Sequence, residues 1–236
     1  MRANNRKDNE LRPVTFTLDY CEYPLANVLV EIGKTRVLCC VTAENRVPPH
    51  LVGSDSGWVT AEYAMLPGAT QTRTPRDISR LRIAPRSSEI QRLIGRSLRS
   101  VTDLQGLCGL SLTVDCDVLQ ADGGTRTASI TGGWLALWLG CEKLVKQNII
   151  VKNPVKEQIA AVSAGIVDGK PLLDLDYSED SNAETDFNMV MTNTGRIIEL
   201  QGTGEKRPFT RDELTSLLDM GTKAIAELCR LQREVM

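Results

Sequence analysis

From Thr125 to Lys146 the chain is apolar on nearly every side, with Ala128, Ile130, Trp134, Leu135, Leu137, Trp138 and Leu139 in one run. At helical spacing such a run has no wet face, so it predicts a central helix that other elements must cover. Trp134 and Trp138, four residues apart, read as core fillers before they read as a binding platform. Hydrophobic residues make up 42% of the 236 positions, enough to build the core that this helix needs.

What leads into the helix is equally specific. Leu110 to Val118 alternates, placing Leu110, Leu112, Val114, Cys116 and Val118 on one face and Thr113, Asp115 and Asp117 on the other, the period of a half-buried strand. Between strand and helix stand Gly123, Gly124, Thr125 and Arg126. Two glycines allow a tight turn and close approach of backbone to a ligand. The unpaired N–H groups of the first helical turn carry the positive end of the helix dipole, and Arg126 adds a planar fork suited to phosphate oxygens. The same letters also describe an ordinary strand-to-helix turn with Arg126 on the surface.

A second helix opening carries an arginine as well. The pattern predicts a helix from Ser87 to Leu104, started by Ser88 and Gln91 at capping-box spacing and preceded by Arg86. Ile90, Leu93, Ile94, Leu98, Val101 and Leu104 make its apolar stripe, while Arg92, Arg96 and Arg99 make a separate basic one. If the fold joins the two openings, two guanidinium groups and several backbone donors converge on one small oxyanion, with phosphate the obvious candidate.

Charge is unevenly spread. The formal net charge is −2, yet Pro67 to Arg86 holds Arg73, Arg76, Arg80, Arg82 and Arg86 against Asp77 alone. Its prolines and lack of apolar periodicity predict an exposed loop that attracts polyanions. Asp174 to Asp186 holds six acids and no base. Within it Asp180 and Asp186 bracket a segment without apolar anchors, predicted as a loop between strands. Two such carboxylates suit a magnesium ion; a solvated acidic loop is the plainer alternative.

Strands are expected at Val14–Asp19, Val28–Ile32, Thr35–Thr42 and Gly57–Tyr63, and after a connector at 148–154 at Ile159–Val167, Pro171–Tyr177, Phe187–Thr192 and Arg196–Leu200. A last helix starts on a Thr210/Glu213 capping box with Phe209 and Leu214 as its hydrophobic staple. The expected class is α+β, a β-rich core with two loosely duplicated strand-and-helix parts, residues 1–150 and 151–236, forming one compact unit. No apolar run approaches the roughly 20 residues of a membrane span, and Met1 to Arg12 is polar, so a cytoplasmic protein is expected. Seven cysteines, never spaced C-x-x-C, read as buried core residues in a reducing compartment. His50 is the only histidine, in a Pro-Pro-His loop, which excludes a histidine triad or a multi-histidine metal site within the chain.

Together these stretches carry a resemblance. Arg86 with Glu89 to Arg99, Asp115 to Ala128, Glu179-Asp180-Ser181 through Asp186, and Glu199 to Thr203 closely resemble the ribonuclease PH family, and the likeness runs from Arg12-Pro13 to the last helix. The resemblance implies a ribonuclease PH-like fold and a phosphate-dependent 3'-to-5' exoribonuclease that trims the 3' tails of transfer RNA precursors. It also implies a homo-oligomer, a hexameric ring built as a trimer of dimers. By position it assigns phosphate binding to Arg86, Gly124, Thr125 and Arg126. Asp180 and Asp186 become the acidic pair for metal binding and catalysis, with Mg2+ or Mn2+ as the ion. RNA contact falls to Arg73 and Arg76, and the basic stripe of Arg92, Arg96 and Arg99 adds to it. The chain departs from the family pattern at Gly68 and Pro85, where an arginine and a glycine are expected.

Overall fold

The computed structural model describes residue 2, residues 5–76 and residues 82–236; Asp77 and Arg80 of the arginine-rich stretch lie outside the described residues. Strands β1 (Val14–Leu18), β2 (Ala26–Ile32) and β3 (Thr35–Glu44) form an antiparallel meander whose second turn uses Gly33 at φ 58°. Strand β4 (Trp58–Met65) runs parallel to β5 (Ser111–Gln120), and helix α1 (Pro85–Ser100) lies in the crossover that a parallel pair requires. The first sheet has the order β1-β2-β3-β5-β4. The second, all antiparallel, has the order β7-β6-β8-β9, with β6 at Ile159–Val167, β7 at Lys170–Leu173, β8 at Thr185–Thr192 and β9 at Ile197–Gly204.

Helix α2 (Thr125–Lys146) packs against β2 and β3 on one side and β6 on the other, which is why its sequence is apolar all round. Strand β6 is buried on both faces. Ile159 and Ala161 join the core around α2, while Ala160, Val162, Ala164 and Ile166 join a second core. A one-turn helix α3 (Tyr177–Asp180) precedes β8, and helix α4 (Arg211–Arg233) covers the far face of the second sheet. The expected α+β class is the observed one. Trp134 is buried and its Nε1 donates to the Glu157 carbonyl at 2.9 Å, whereas Trp138 is half-buried.

Gly132 lets α2 approach the sheet, since a Cβ there would stand 2.6 Å from Val30 Cγ1. Gly132→Ala is expected to destabilise the fold: overpacking costs about 1–3 kcal/mol, outweighing about 1 kcal/mol of helix propensity. Urea unfolding measures the difference.

Several boundaries differ from expectation. Helix α1 starts at Pro85, capped by Ala84 without a side-chain bond, so the Ser88/Gln91 box is not used. Proline fixes a helical φ and lacks the N–H that the first turn leaves unpaired, so the chain turns helical as soon as Pro85 is reached. Arg86 therefore sits inside the first turn. The helix ends at Ser100, where the Thr102 hydroxyl donates to the Leu98 carbonyl at 2.8 Å, and Leu104 belongs to a separate 3-10 turn. The strand expected at Pro171–Tyr177 stops at Leu173, because Asp174 turns left-handed at φ 51° and Asp176 and Glu179 form a capping box for α3. Asp180 thus lies on a helical turn and Asp186 inside β8, not on one open loop.

The Thr210/Glu213 box caps α4 as expected, and Phe209 packs edge-on against Phe187 with ring centroids 4.8 Å apart. All seven cysteines are free, but only Cys39, Cys116, Cys141 and Cys229 are buried; Cys21 and Cys40 are half-buried and Cys108 is exposed. Burial pushes the Cys141 and Cys229 thiols up to about 12, which leaves them protonated and unreactive at neutral pH. His50 is exposed and meets Trp58 edge-on at 5.3 Å.

Candidate active site

The turn between β5 and α2 is built on two left-handed glycines, Gly123 at φ 75° and Gly124 at φ 65°. A Cβ on Gly123 would lie 2.4 Å from the Leu175 carbonyl oxygen, so the turn packs tightly on the segment that leads into α3. Gly124 caps α2 with no side-chain hydrogen bond. The amide groups of Thr125 and Arg126 thus open the helix, where its dipole favours an anion.

Side chains from α1 and β9 reach this opening. Arg126 is mostly buried; its Nη1 donates to Gln201 Oε1 on β9 at 2.9 Å and to Glu89 Oε1 on α1 at 3.4 Å. Asp186 on β8 receives Asn188 Nδ2 at 3.2 and 3.4 Å. Its carboxyl is raised above the ordinary value first by burial and then by the charge of Asp180, with Arg126 opposing. Asp180 keeps an exposed edge yet is also raised by burial, with Arg86, Arg126 and Arg12 pulling the other way. Arg86 and Arg126 both act on Asp180, and Asp180 and Arg126 both act on Asp186. Arg86 and Arg126 also act together on Tyr63, whose buried phenol is raised by desolvation. Arg86, Arg126, Asp180 and Asp186, spread over a hundred positions of the chain, are thus linked through the charges that act on the two aspartates.

Asp180 and Asp186 are the metal donors expected from the sequence. Among the described residues no group of three or more His, Cys, Asp or Glu side chains is gathered for an ion. A pair of carboxylates suits magnesium, which keeps several waters and takes further oxygens from substrate phosphate; manganese accepts the same donors.

The proposed RNA arginines divide. Arg73 and Arg76 are exposed beyond β4, and the field of Arg76 reaches Asp117 on β5. Arg92 and Arg96 are exposed on α1, where Arg96 pairs with Glu199 at 3.2 Å. Arg99 departs from the expected stripe. Its guanidinium lies 4.5 Å from the centroid of the Trp58 ring and donates to the Val59 carbonyl at 2.8 Å, so it ties α1 to β4. Gly68 has open space around it, and Pro85 is the first residue of α1.

Sequence reasoning gave no role to Tyr63, Gln201, Asn188 or Arg12. The Tyr63 hydroxyl is 2.8 Å from Thr125 Oγ1 and buried. Asn188 follows Asp186 by two residues, so strand alternation puts both on one face, a signal available in the sequence. Nothing local marks Gln201 or Tyr63, because their partners are about 60 or more positions away.

The first-domain model of the 3' exoribonuclease family matches residues 10–139, and the second-domain model matches residues 157–224. A protein named ribonuclease PH from Syntrophomonas wolfei is 52% identical over 235 residues, covering 100% of this chain and 98% of its relative. Ribonuclease PH of Bacillus subtilis is 51% identical over 237 residues, covering 100% and 97%. Among solved structures, an Archaeoglobus fulgidus exosome with RNA bound to the active site superposes with TM-score 0.82 at 23% identity, over 96% of this chain and 91% of that one. Rice (Oryza sativa) Rrp46 does so at 0.79 and 19%, over 98% of both chains. At these identities the two structures establish the fold.

Proposed function

The chain belongs to the 3' exoribonuclease family, in its ribonuclease PH branch, and is a phosphorolytic 3'-to-5' exoribonuclease; from that premise we propose that Arg86, Gly124, Thr125 and Arg126 hold inorganic phosphate against the last linkage of an RNA 3' end. The observation that supports this reading is the opening of α2 on two left-handed glycines with Arg126 held beside it by Gln201 and Glu89, where Arg126 acts on both Asp180 and Asp186 and Arg86 acts on Asp180. A phosphate oxygen attacks the terminal phosphorus, the bond to the 3'-oxygen breaks, and a nucleoside 5'-diphosphate leaves. The two arginines offset repulsion between the anions, and the α2 amides fix the attacking group in line. Asp180 and Asp186 would hold a magnesium or manganese ion, which would supply charge neutralisation to the transferring group and departing oxygen. Asp186, with its carboxyl held above the ordinary value, serves either as ligand to that ion or as proton donor to the oxygen. No protein nucleophile is required. One phosphate ester replaces another, so the reaction reverses when nucleoside diphosphate is abundant.

The proposal extends to transfer RNA precursors as substrate, with Arg73, Arg76, Arg92 and Arg96 gathering the RNA backbone. It further includes a cytoplasmic hexameric ring, a trimer of dimers, in which residues 1–150 and 151–236 act as one unit joined by α2. No helix among the described residues is long and apolar enough to cross a membrane. Incubating a 3'-tailed transfer RNA with and without phosphate tests the chemistry. Diphosphates formed only with phosphate support it; monophosphates without phosphate indicate a hydrolase, and no product indicates a subunit that only binds RNA.

Tyr63 holds the Thr125 hydroxyl beside the proposed phosphate. Tyr63→Phe deletes one oxygen and is expected to raise KM for phosphate roughly fivefold, the equivalent of a hydrogen bond worth about 1 kcal/mol. Phosphate titration at saturating RNA measures it.

A further inference from the structure

Near the N-terminus Arg12 is almost completely buried, 4% exposed, although it carries a full charge. All three of its guanidinium nitrogens are engaged. Nε donates to Asp174 Oδ2 at 3.0 Å and Nη2 to Asp174 Oδ1 at 2.7 Å, and the Arg12 amide donates to Oδ2 at 2.7 Å. The other edge of the fork turns away from Asp174, Nη1 donating to the Asp122 carbonyl and Nη2 to the Gly123 carbonyl at 3.4 Å. One buried side chain thus grips both the turn that opens α2 and the residue six places before Asp180. Burial opposes its charge, but Asp174 outweighs burial and holds the guanidinium above its ordinary value.

Other bonds fix the same joint. Thr35 at the start of β3 is fully buried; its hydroxyl donates to the Gly123 carbonyl at 2.6 Å and accepts from the Asp122 amide at 3.0 Å. The Tyr177 amide of α3 reaches Asp122 Oδ1 at 3.4 Å. On the far side, Asp176 and Glu179 cap α3 reciprocally, so Asp174 is joined to Asp180 through a turn closed by its own capping box.

We propose that Arg12 is a positioning residue for phosphorolysis, a fork that sets the Gly123–Gly124 turn, and with it the phosphate-facing amides and Arg126, in fixed register with the Asp174–Asp180 segment. This rests on the phosphate site proposed above. Lysine cannot replace it, because a single ammonium group cannot grip a carboxylate in two places and two carbonyls at once. Arg6 provides an internal comparison. It lies in the same buried network, donating to the Glu10 and Asp174 carbonyls and to Glu179 Oε2 and pairing with Asp174 Oδ2 at 3.6 Å, but none of these bonds reaches residues 122–124.

Arg12→Met, Arg12→Lys, Thr35→Val and Arg6→Met are to be compared in phosphate titrations on a 3'-tailed RNA, together with melting temperature and RNA binding. Arg12→Met and Arg12→Lys are expected to raise KM for phosphate about tenfold or more, since misplacement of about an ångström costs that much or more. Thr35→Val should raise it about threefold, and RNA affinity should stay within about twofold in all. Arg6→Met should lower the melting temperature while leaving KM for phosphate within about twofold of wild type. Equal effects of Arg12→Met and Arg6→Met on KM would reduce Arg12 to a structural residue and overturn the inference. Should Arg12→Met fail to fold, an unchanged KM in Thr35→Val overturns it and a raised one supports it. Arg126→Ala in the same assay separates the two levels. If that variant stays fully active, the phosphate site itself is wrong; if it is inactive while the Arg12 variants keep wild-type KM, only the positioning role falls.

Discussion

Arg126→Ala is expected to lower kcat/KM for phosphorolysis by about 10³-fold, with RNA binding changed by less than about threefold. The side chain stands at the opening of α2 with most of its surface covered, so the charge it offers an anion is poorly screened by water. Gln201 and Glu89 hold it from β9 and α1, which fixes its direction before any ligand arrives. In the proposed mechanism truncation removes a planar fork from between two anions that must approach each other, and it leaves Asp180 and Asp186 with one fewer opposing charge. The exposed arginines proposed to gather RNA are elsewhere, on α1 and beyond β4, so affinity for the polymer should survive. Single-turnover rates with phosphate varied, beside an RNA-binding titration, separate the two effects. Retained turnover would count against the assignment.

The second large effect is expected from Asp186→Asn: a fall in phosphorolysis of at least about 10²-fold together with a rise of about 2 °C in melting temperature. The two changes have one cause. Burial and the neighbouring charge of Asp180 raise the Asp186 carboxyl above its ordinary value, so its ionised form at neutral pH costs the folded state stability. Below the unfolded-state value both forms are protonated and the variant gains nothing. As pH rises through the raised folded-state value, wild type loses stability relative to Asp186→Asn, and the gap stays open at neutral pH. Thermal melts across acidic to neutral pH, with divalent cations chelated, measure this. A variant that melts at or below the wild-type temperature at neutral pH would show that Asp186 sits in the fold without strain.

The residues that this chemistry needs were legible to different degrees. The Gly123–Gly124 turn and the opening of α2 at Thr125 could be read directly, because alternation stops, two glycines follow and an apolar helix begins at once. The acidic pair was legible as residues but not as geometry. A capping box from Asp176 to Glu179 was present in the letters, yet the run of acids read as loop, and the helical turn that aims Asp180 was missed. Proline at position 85 outranked the serine two places later as a helix start, moving Arg86 into the first turn of α1. Arg99 shared a stripe with Arg92 and Arg96 by spacing, but Trp58 offered it an aromatic face from a strand about forty residues earlier.

What the sequence determined by itself is local and periodic: an apolar helix that must be covered, strands with one wet face, helix openings that carry cationic forks, and a likeness to one enzyme family along nearly the whole chain. Which distant side chains meet was decided only by the tertiary structure. Arg12 reaching Asp122 and Asp174, Tyr63 reaching Thr125, and Gln201 reaching Arg126 are pairings across separations that leave no periodic trace. The physical reason is that periodicity records which face of an element is buried, whereas the partner across the core depends on how two sheets are stacked about α2.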